Sequence, residues 1–67
     1  MTYQLDEDYI ELFKLLKILD LVDTGGQAKL LIANGHVYRN GEVELRKRAK
    51  IVKNDLLTIG DVVIRIV

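Results

Sequence analysis

Residues 24–41 decide the fold, and they read Thr-Gly-Gly-Gln-Ala-Lys-Leu-Leu-Ile-Ala-Asn-Gly-His-Val-Tyr-Arg-Asn-Gly. The stretch opens with a capping box, because the Thr24 hydroxyl can accept a hydrogen bond from the third helical N–H while Gln27 reaches back to the N–H of the cap. Asn34-Gly35 then supplies residues that tolerate the left-handed conformation in which many helices end. The pattern predicts a helix that begins after Thr24 and ends near Ala33.

Beyond this helix the hydrophobic pattern changes from helical to extended. Two short runs flank Asn40-Gly41, a strong signal for a two-residue hairpin turn, and two β-branched runs flank Gly60-Asp61 further on. A basic connection at 45–50 separates the two hairpins, Ile51-Val52 is a short extended candidate, and Asn54-Asp55 predicts a turn. The predicted strands are 36–39, 42–44, 56–59 and 62–66.

Upstream of Thr24, apolar residues recur at helical spacing between Asp8 and Val22, which predicts a first helix with Asp6 or Asp8 as its cap. The order of two helices followed by strands is typical of an α+β fold. We expect both N-terminal helices to pack on one face of a small antiparallel sheet. A chain of 67 residues can bury one compact core, so residues 1–67 are predicted to form a single domain.

Several classes of function are disfavoured by composition. The chain has no cysteine and one histidine, His36, so neither a thiolate metal site nor a catalytic pair is expected. The glycines at 25–26 lack the lysine and the preceding strand of a nucleotide-binding loop. The apolar stretch 10–22 is short and interrupted by charges, and no export signal is evident. We therefore expect a cytoplasmic, non-enzymatic protein without cofactor, metal or membrane partner.

Charge is distributed unevenly although the formal net charge is zero. Residues 1–25 carry six acids and two bases, whereas residues 26–53 carry seven bases and two acids. Such a dipolar molecule can attract a polyanion to its basic part. The centre of that part is the run Arg46-Lys47-Arg48-Ala49-Lys50, which we call the basic segment.

The basic segment has two interpretations. It could be a solvated loop that protects a sheet edge, which is the ordinary meaning of a charge run. Polyanion binding is favoured because the run includes two arginines and because Lys29 and Arg39 lie in the elements just before it. The planar guanidinium suits phosphate oxygens, whereas a solubilising loop could use lysine equally well. Gly25-Gly26 could let a phosphate approach a helix start or could simply connect two packed helices.

The residues quoted above, together with Gly-Gln-Ala-Lys at 26–29 and Arg-Lys-Arg-Ala-Lys-Ile at 46–51, resemble the S4 RNA-binding domain, and most closely its short stand-alone bacterial members of the YbcJ/YaaA type. The resemblance implies the S4-like αL motif and binding of structured RNA, either ribosomal or tRNA-like, in translation or ribosome assembly. Thr24-Gly25 stands where the family pattern has Ser-Arg, so one expected arginine contact is missing. Asn54-Asp55 replaces the usual Gly-Asp turn, which asparagine can also adopt.

The resulting hypothesis is a monomeric, non-catalytic module that binds structured RNA through phosphates. Few aromatic residues are available for stacking bases, and the sequence does not decide which face of its strand Tyr38 occupies. The alternative is a protein adaptor whose basic segment docks on an acidic partner. The residues predicted to contact RNA are Gln27, Lys29, Arg39, Arg46, Lys47, Arg48 and Lys50.

Overall fold

The computed structural model describes residues 1–67, which fold into two helices and two sheets. Five strands form one sheet in the order β1-β7-β6-β3-β4, and β2 pairs separately with β5. The fold is therefore α+β. In chain order the elements are β1 (Thr2–Tyr3), β2 (Ile10–Glu11), α1 (Leu12–Ile18), α2 (Gly25–Ala33), β3 (Val37–Arg39), β4 (Glu42–Val43), β5 (Lys50–Ile51), β6 (Leu56–Ile59) and β7 (Val62–Ile66).

The larger sheet is mixed, which corrects the expectation of a purely antiparallel sheet. Strand β1 precedes both helices and runs parallel to β7, with Thr2 opposite Arg65 and Tyr3 opposite Ile66. All other pairs in this sheet are antiparallel. A two-residue strand is too short to show an alternating pattern, and its partner lies at the other end of the chain. No local signal could have revealed it.

Helix α1 is shorter than the predicted span of Asp8 to Val22, and neither Asp6 nor Asp8 caps it. The helix begins at Leu12 because the two residues before it are extended and pair with β5. The N–H groups of Leu12 and Phe13 donate to backbone carbonyls of the basic segment, at 3.0 and 3.1 Å. The amides of the first turn are thus capped by a segment more than thirty residues away, which a search for a local capping side chain cannot detect.

Helix α2 follows the prediction closely. The Thr24 hydroxyl accepts a hydrogen bond from the N–H of Gln27 at 3.1 Å. The Gln27 side-chain oxygen accepts from the N–H of Asp23 at 2.8 Å, one residue before the cap N–H that a standard capping box would use. At the other end Gly35 has a φ of 80°, and the N–H of His36 donates to the carbonyl of Leu31 at 3.2 Å. This closing turn is a Schellman motif.

The two hairpin turns also form where the sequence predicts them. Asn40 and Gly41 both have positive φ, 53° and 87°, as a type I′ turn between β3 and β4 requires. Gly60, with a φ of 58°, lies between β6 and β7. Asn54 has a φ of 77°, so the turn at Asn54-Asp55 adopts the left-handed conformation expected for asparagine at that position.

One cluster of buried apolar side chains forms the core, and both helices and both sheets contribute to it. Within β7 the side chains alternate, with Ile64 and Ile66 buried and Val63 and Arg65 exposed, so one face of this strand is in the core. Neither helix is long and apolar enough to span a bilayer. The fully buried large side chains are Leu12, Leu15, Leu16, Ile32, Val37, Ile51, Leu57, Ile64 and Ile66.

Candidate nucleic-acid interface

The basic segment is held firmly against the start of α1. The carbonyls of Lys47 and Ala49 accept the hydrogen bonds from α1, and Lys50 pairs with Glu11 across the small sheet. Ala49 is buried and anchors the segment. The side chains of Arg46 and Arg48 project outward, with 75% and 69% of their surface exposed. The charge run is therefore an ordered surface and not a loose loop.

Three cations from different parts of the chain surround the ring of Phe13. The Lys29 ammonium lies 4.8 Å from the ring centroid, the Arg48 guanidinium 5.5 Å and the Lys14 ammonium 5.9 Å. All three distances fall within the range of a cation–π interaction. We call Phe13, Lys14, Lys29 and Arg48 the Phe13 cluster.

The start of α2 adjoins the same ring. A Cβ added at Gly25 would lie 3.8 Å from a ring carbon of Phe13, which is ordinary van der Waals contact. The N–H groups of Gly25 and Gly26 have no acceptor within the chain. Free amides at a helix start carry a partial positive charge, so this helix end adds to the potential of the Phe13 cluster.

One carboxylate contacts the Phe13 cluster. Glu11 contacts Lys14 at 3.0 Å and Arg48 at 3.5 Å. The hydrogen bond with Lys14, together with the charges of Lys14 and Arg48, outweighs desolvation and lowers the pKa of Glu11. Lys29 has no carboxylate within ion-pairing distance. The cluster therefore keeps an excess of positive charge.

The other exposed cations of the predicted site lie beside this cluster. The Lys50 ammonium is 5.0 Å from the centroid of the Tyr9 ring, and Lys47 is exposed without an ion-pair partner. Gln27 lies on the first turn of α2; its side-chain oxygen is engaged by Asp23, whereas its side-chain NH₂ group makes no hydrogen bond. These side chains could all donate to phosphate oxygens.

Arg39 is in a different situation from the other predicted contact residues. Its guanidinium donates to Asp55 at 2.8 and 3.1 Å and to the carbonyl of Lys50 at 2.8 Å, and it lies 3.5 Å from Glu44. Only 20% of the side chain is exposed. Arg39 therefore restrains the basic segment through its hydrogen bond to the Lys50 carbonyl. Its guanidinium donates to groups of the protein itself and is largely shielded from solvent.

The carboxylate of Asp55 accepts the hydrogen bonds that hold Arg39 in place. Besides Arg39 it accepts hydrogen bonds from the Val52 N–H at 2.9 Å and from the Asn40 side chain at 2.9 Å. Burial alone would raise the pKa of Asp55, but these hydrogen bonds and the charge of Arg39 outweigh it and hold the pKa below its ordinary value. We call Arg39, Asn40 and Asp55 the Arg39 network.

Arg46 is exposed and paired with its neighbour in sequence. Its guanidinium donates to Glu44 at 3.1 and 3.2 Å, which raises the pKa of Arg46 and lowers that of Glu44. An open depression of about 390 Å³ is lined by both Arg46 and Arg48 of the basic segment. Its lining residues are Arg39, Arg46, Arg48, Ala49 and Lys50.

The structure thus brings most predicted contact residues to one region, and it adds two that sequence reasoning missed. Phe13 and Lys14 looked like ordinary members of the first helix, and their only sequence signal was an aromatic residue next to a base. Tyr38, whose orientation was open, points away from buried Val37 and is 45% exposed. No three His, Cys, Asp or Glu side chains lie close enough together to hold a metal ion.

Comparison with known proteins identifies the class to which this fold and surface belong. The S4 domain family model matches residues 3–67, so the chain belongs to the S4 domain family. This family is non-enzymatic, and one relative is named as a putative RNA-binding protein. The family assignment agrees with the resemblance noted in the sequence.

Particular relatives are similar over most of their length. "Putative RNA-binding protein YbcJ" of Escherichia coli K12 is 42% identical over 52 residues, which is 78% of this chain and 74% of the relative. The uncharacterized YbcJ of Shigella flexneri matches equally well, at 42% over the same shares. The solution structure of Escherichia coli YbcJ has a TM-score of 0.75 at 37% identity, and the match covers 98% of this chain and 85% of that one. That structure is described as containing an αL motif involved in RNA binding.

Proposed function

We propose that this protein is a non-catalytic module that binds structured RNA, with the Phe13 cluster and the basic segment contacting backbone phosphates. The observation that carries the proposal is the convergence of Lys14, Lys29 and Arg48 on one ring, beside the free amides at the start of α2. Phosphates bind where arginine forks, lysines and helix N-termini meet. The description of the YbcJ αL motif as involved in RNA binding supports the same activity here.

Structured RNA suits this surface better than unpaired bases. The rings of Phe13 and Tyr9 lie under cations, so their faces are engaged by charge and are poorly placed to stack on bases. Double-stranded RNA is recognised mostly by shape and by contacts to phosphates and 2′-hydroxyls. In this proposal Arg39 does not contact RNA and instead positions the basic segment. The RNA contacts are assigned to Lys14, Gln27, Lys29, Arg46, Lys47, Arg48 and Lys50.

The wider setting of the proposal follows from the family resemblance. The RNA would be ribosomal or tRNA-like, and the process translation or ribosome assembly. The protein would act in the cytoplasm as a monomer, with the ribosome or an assembly intermediate as its larger partner. Crosslinking the protein to RNA in cells and sequencing the attached fragments tests this setting directly, and recovery of messenger RNA alone would contradict it.

The central test is charge reversal with a matched control. The double variant Lys47→Glu and Arg48→Glu should weaken binding of a labelled RNA hairpin by about 10- to 100-fold, because it removes two phosphate contacts and introduces repulsion. The control variant Lys53→Glu and Arg65→Glu changes the net charge equally but alters two exposed bases that touch neither Phe13 nor Tyr9. Fluorescence anisotropy measures both affinities.

An unchanged affinity in the Lys47/Arg48 variant would overturn RNA binding by this surface. If that variant instead lost a protein partner while RNA binding persisted, the adaptor hypothesis would replace the present one. Equal losses in both variants would show that only net charge matters. Circular dichroism of both variants separates these outcomes from unfolding.

Salt dependence provides a second measurement of the same contacts. If five phosphates of a duplex stem are neutralised, the slope of log affinity against log salt concentration should be about −4.5. The change Lys47→Ala should reduce the steepness by about 0.9, since one phosphate contact is lost. An affinity that does not depend on salt would contradict the electrostatic mechanism.

A further inference from the structure

Phe13 is surrounded by cations that are proposed to contact RNA, although Phe13 itself is not among the proposed contacts. It is half-buried at the start of α1, and its ring meets cations from α1, α2 and the basic segment. The three positively charged groups all lie within 5.9 Å of one centroid, so no two of them can be more than twice that distance apart. Three like charges at such separations repel each other.

The attractive partners available to these cations are few. Glu11 contacts Lys14 and Arg48, but Lys29 has no carboxylate partner. The ring of Phe13 is a favourable electrostatic partner for the Lys29 ammonium, because the face of an aromatic ring carries partial negative charge. Lys29 and Arg48 are nineteen residues apart in sequence, and both lie within cation–π distance of the Phe13 ring.

We infer that Phe13 is a positioning residue for RNA binding: its ring holds the Lys29 ammonium and the Arg48 guanidinium side by side, so that both contact the same stretch of phosphate backbone. This inference rests on the proposed function. A lysine fixed in this way loses less side-chain freedom when it binds, and ordering a free lysine side chain is costly. The ring therefore raises RNA affinity without touching RNA.

Stepwise fluorination of the Phe13 ring tests the inference. Each fluorine withdraws electron density from the ring face and hardly changes the shape of the side chain, so a packing role predicts no trend. We expect the affinity for a labelled RNA hairpin to fall with each fluorine, and full loss of the interaction to cost about two- to fivefold per cation. The change Phe13→Leu should give a similar loss of affinity. Phe13→Tyr keeps an aromatic ring and should bind RNA with nearly the affinity of the native protein.

NMR spectra of the free protein test whether the Lys29 side chain lies over the Phe13 ring. In the free protein, the side-chain protons of Lys29 near the ammonium should be shifted upfield by the Phe13 ring in NMR spectra. The shift should disappear in Phe13→Leu while the amide spectrum of the core stays unchanged. The Lys53 side-chain protons serve as the internal reference, since the Lys53 ammonium forms no cation–π pair.

The possible outcomes distinguish this inference from the function on which it rests. A flat affinity across the fluorinated series, together with weaker binding by the Lys47/Arg48 reversal, overturns the positioning by Phe13 and leaves the RNA-binding proposal intact. No binding of RNA by the unmodified protein overturns the proposed function, and the inference with it. Absence of the Lys29 ring shift overturns the inference whatever the RNA result.

Discussion

Arg39 and Arg48 are both arginines of the basic half of the chain, but they occupy opposite environments. Arg39 is surrounded by Asp55, Glu44 and the Lys50 carbonyl, and only 20% of its side chain is exposed. Arg48 rests on the ring of Phe13 with 69% of its side chain exposed and a single carboxylate, Glu11, at 3.5 Å. The first arginine fixes the backbone of the basic segment, whereas the second is presented to solvent by that segment.

The difference between them shows how one small domain keeps a charged surface ordered. Carbonyls of the basic segment receive hydrogen bonds from α1 on one side and from Arg39 on the other. The interior contacts restrain the backbone, so the exposed cations need few ion pairs of their own. Substitution of Arg39 should therefore mainly change the stability of the fold, and substitution of Arg48 should mainly change the affinity for RNA.

The largest expected effect separates these two kinds of arginine. The change Arg39→Ala should lower the free energy of unfolding by about 2–4 kcal/mol, because it leaves the buried Asp55 carboxylate without its charged partner. The change Arg48→Ala should alter it by less than about 1 kcal/mol, as is usual for an exposed cation. Urea unfolding followed by circular dichroism measures both values.

The same pair of variants should behave in the reverse order in RNA binding. At a temperature where both are folded, Arg48→Ala should weaken binding of the RNA hairpin more than Arg39→Ala. Arg39→Lys keeps the charge but not the planar fork, so it should fall between the native protein and Arg39→Ala in stability. Equal losses of stability in the Arg39 and Arg48 variants would contradict the distinction.

A smaller effect is expected from acid, and it concerns the Arg39 network. The folded-state pKa of Asp55 lies below its ordinary value of 3.8, so its contribution to stability is complete above that value and is lost as pH falls below it. The melting temperature should therefore fall less steeply in Asp55→Asn than in the native protein as pH falls below 3.8, whereas the two proteins should respond alike at higher pH. Asp61→Asn, in the exposed β6–β7 turn, should follow the native curve. Parallel curves for Asp55→Asn and the native protein would show that this carboxylate does not contribute.

The smallest effect concerns Glu11, the acid that contacts the Phe13 cluster. Glu11 competes with phosphate for Lys14 and Arg48, so Glu11→Gln should raise RNA affinity by about two- to fivefold at low salt. Glu42→Gln makes the same change of net charge at an exposed carboxylate without a cationic partner. Anisotropy titrations of both variants decide whether the gain is local, and an equal gain in both would show that it is not.

Elements whose signals are local could be predicted from the sequence. The capping residue Thr24, the left-handed Gly35 and the Asn40-Gly41 turn each depend on side chains within a few residues, and each is found where expected. The start of α1 could not be predicted, because its first amides are satisfied by the carbonyls of Lys47 and Ala49. The same holds for β1, whose partner is the last strand.

The charged residues, the helix start and the turns of residues 24–41 can be located from the sequence alone, since propensity, capping and turn geometry act over a few positions. The role of each cation depends instead on the tertiary structure. Arg39 and Arg48 have the same chemistry, but one meets Asp55 and the other meets Phe13. These partners lie far away in sequence, and long-range packing of the helices and sheets brings them together.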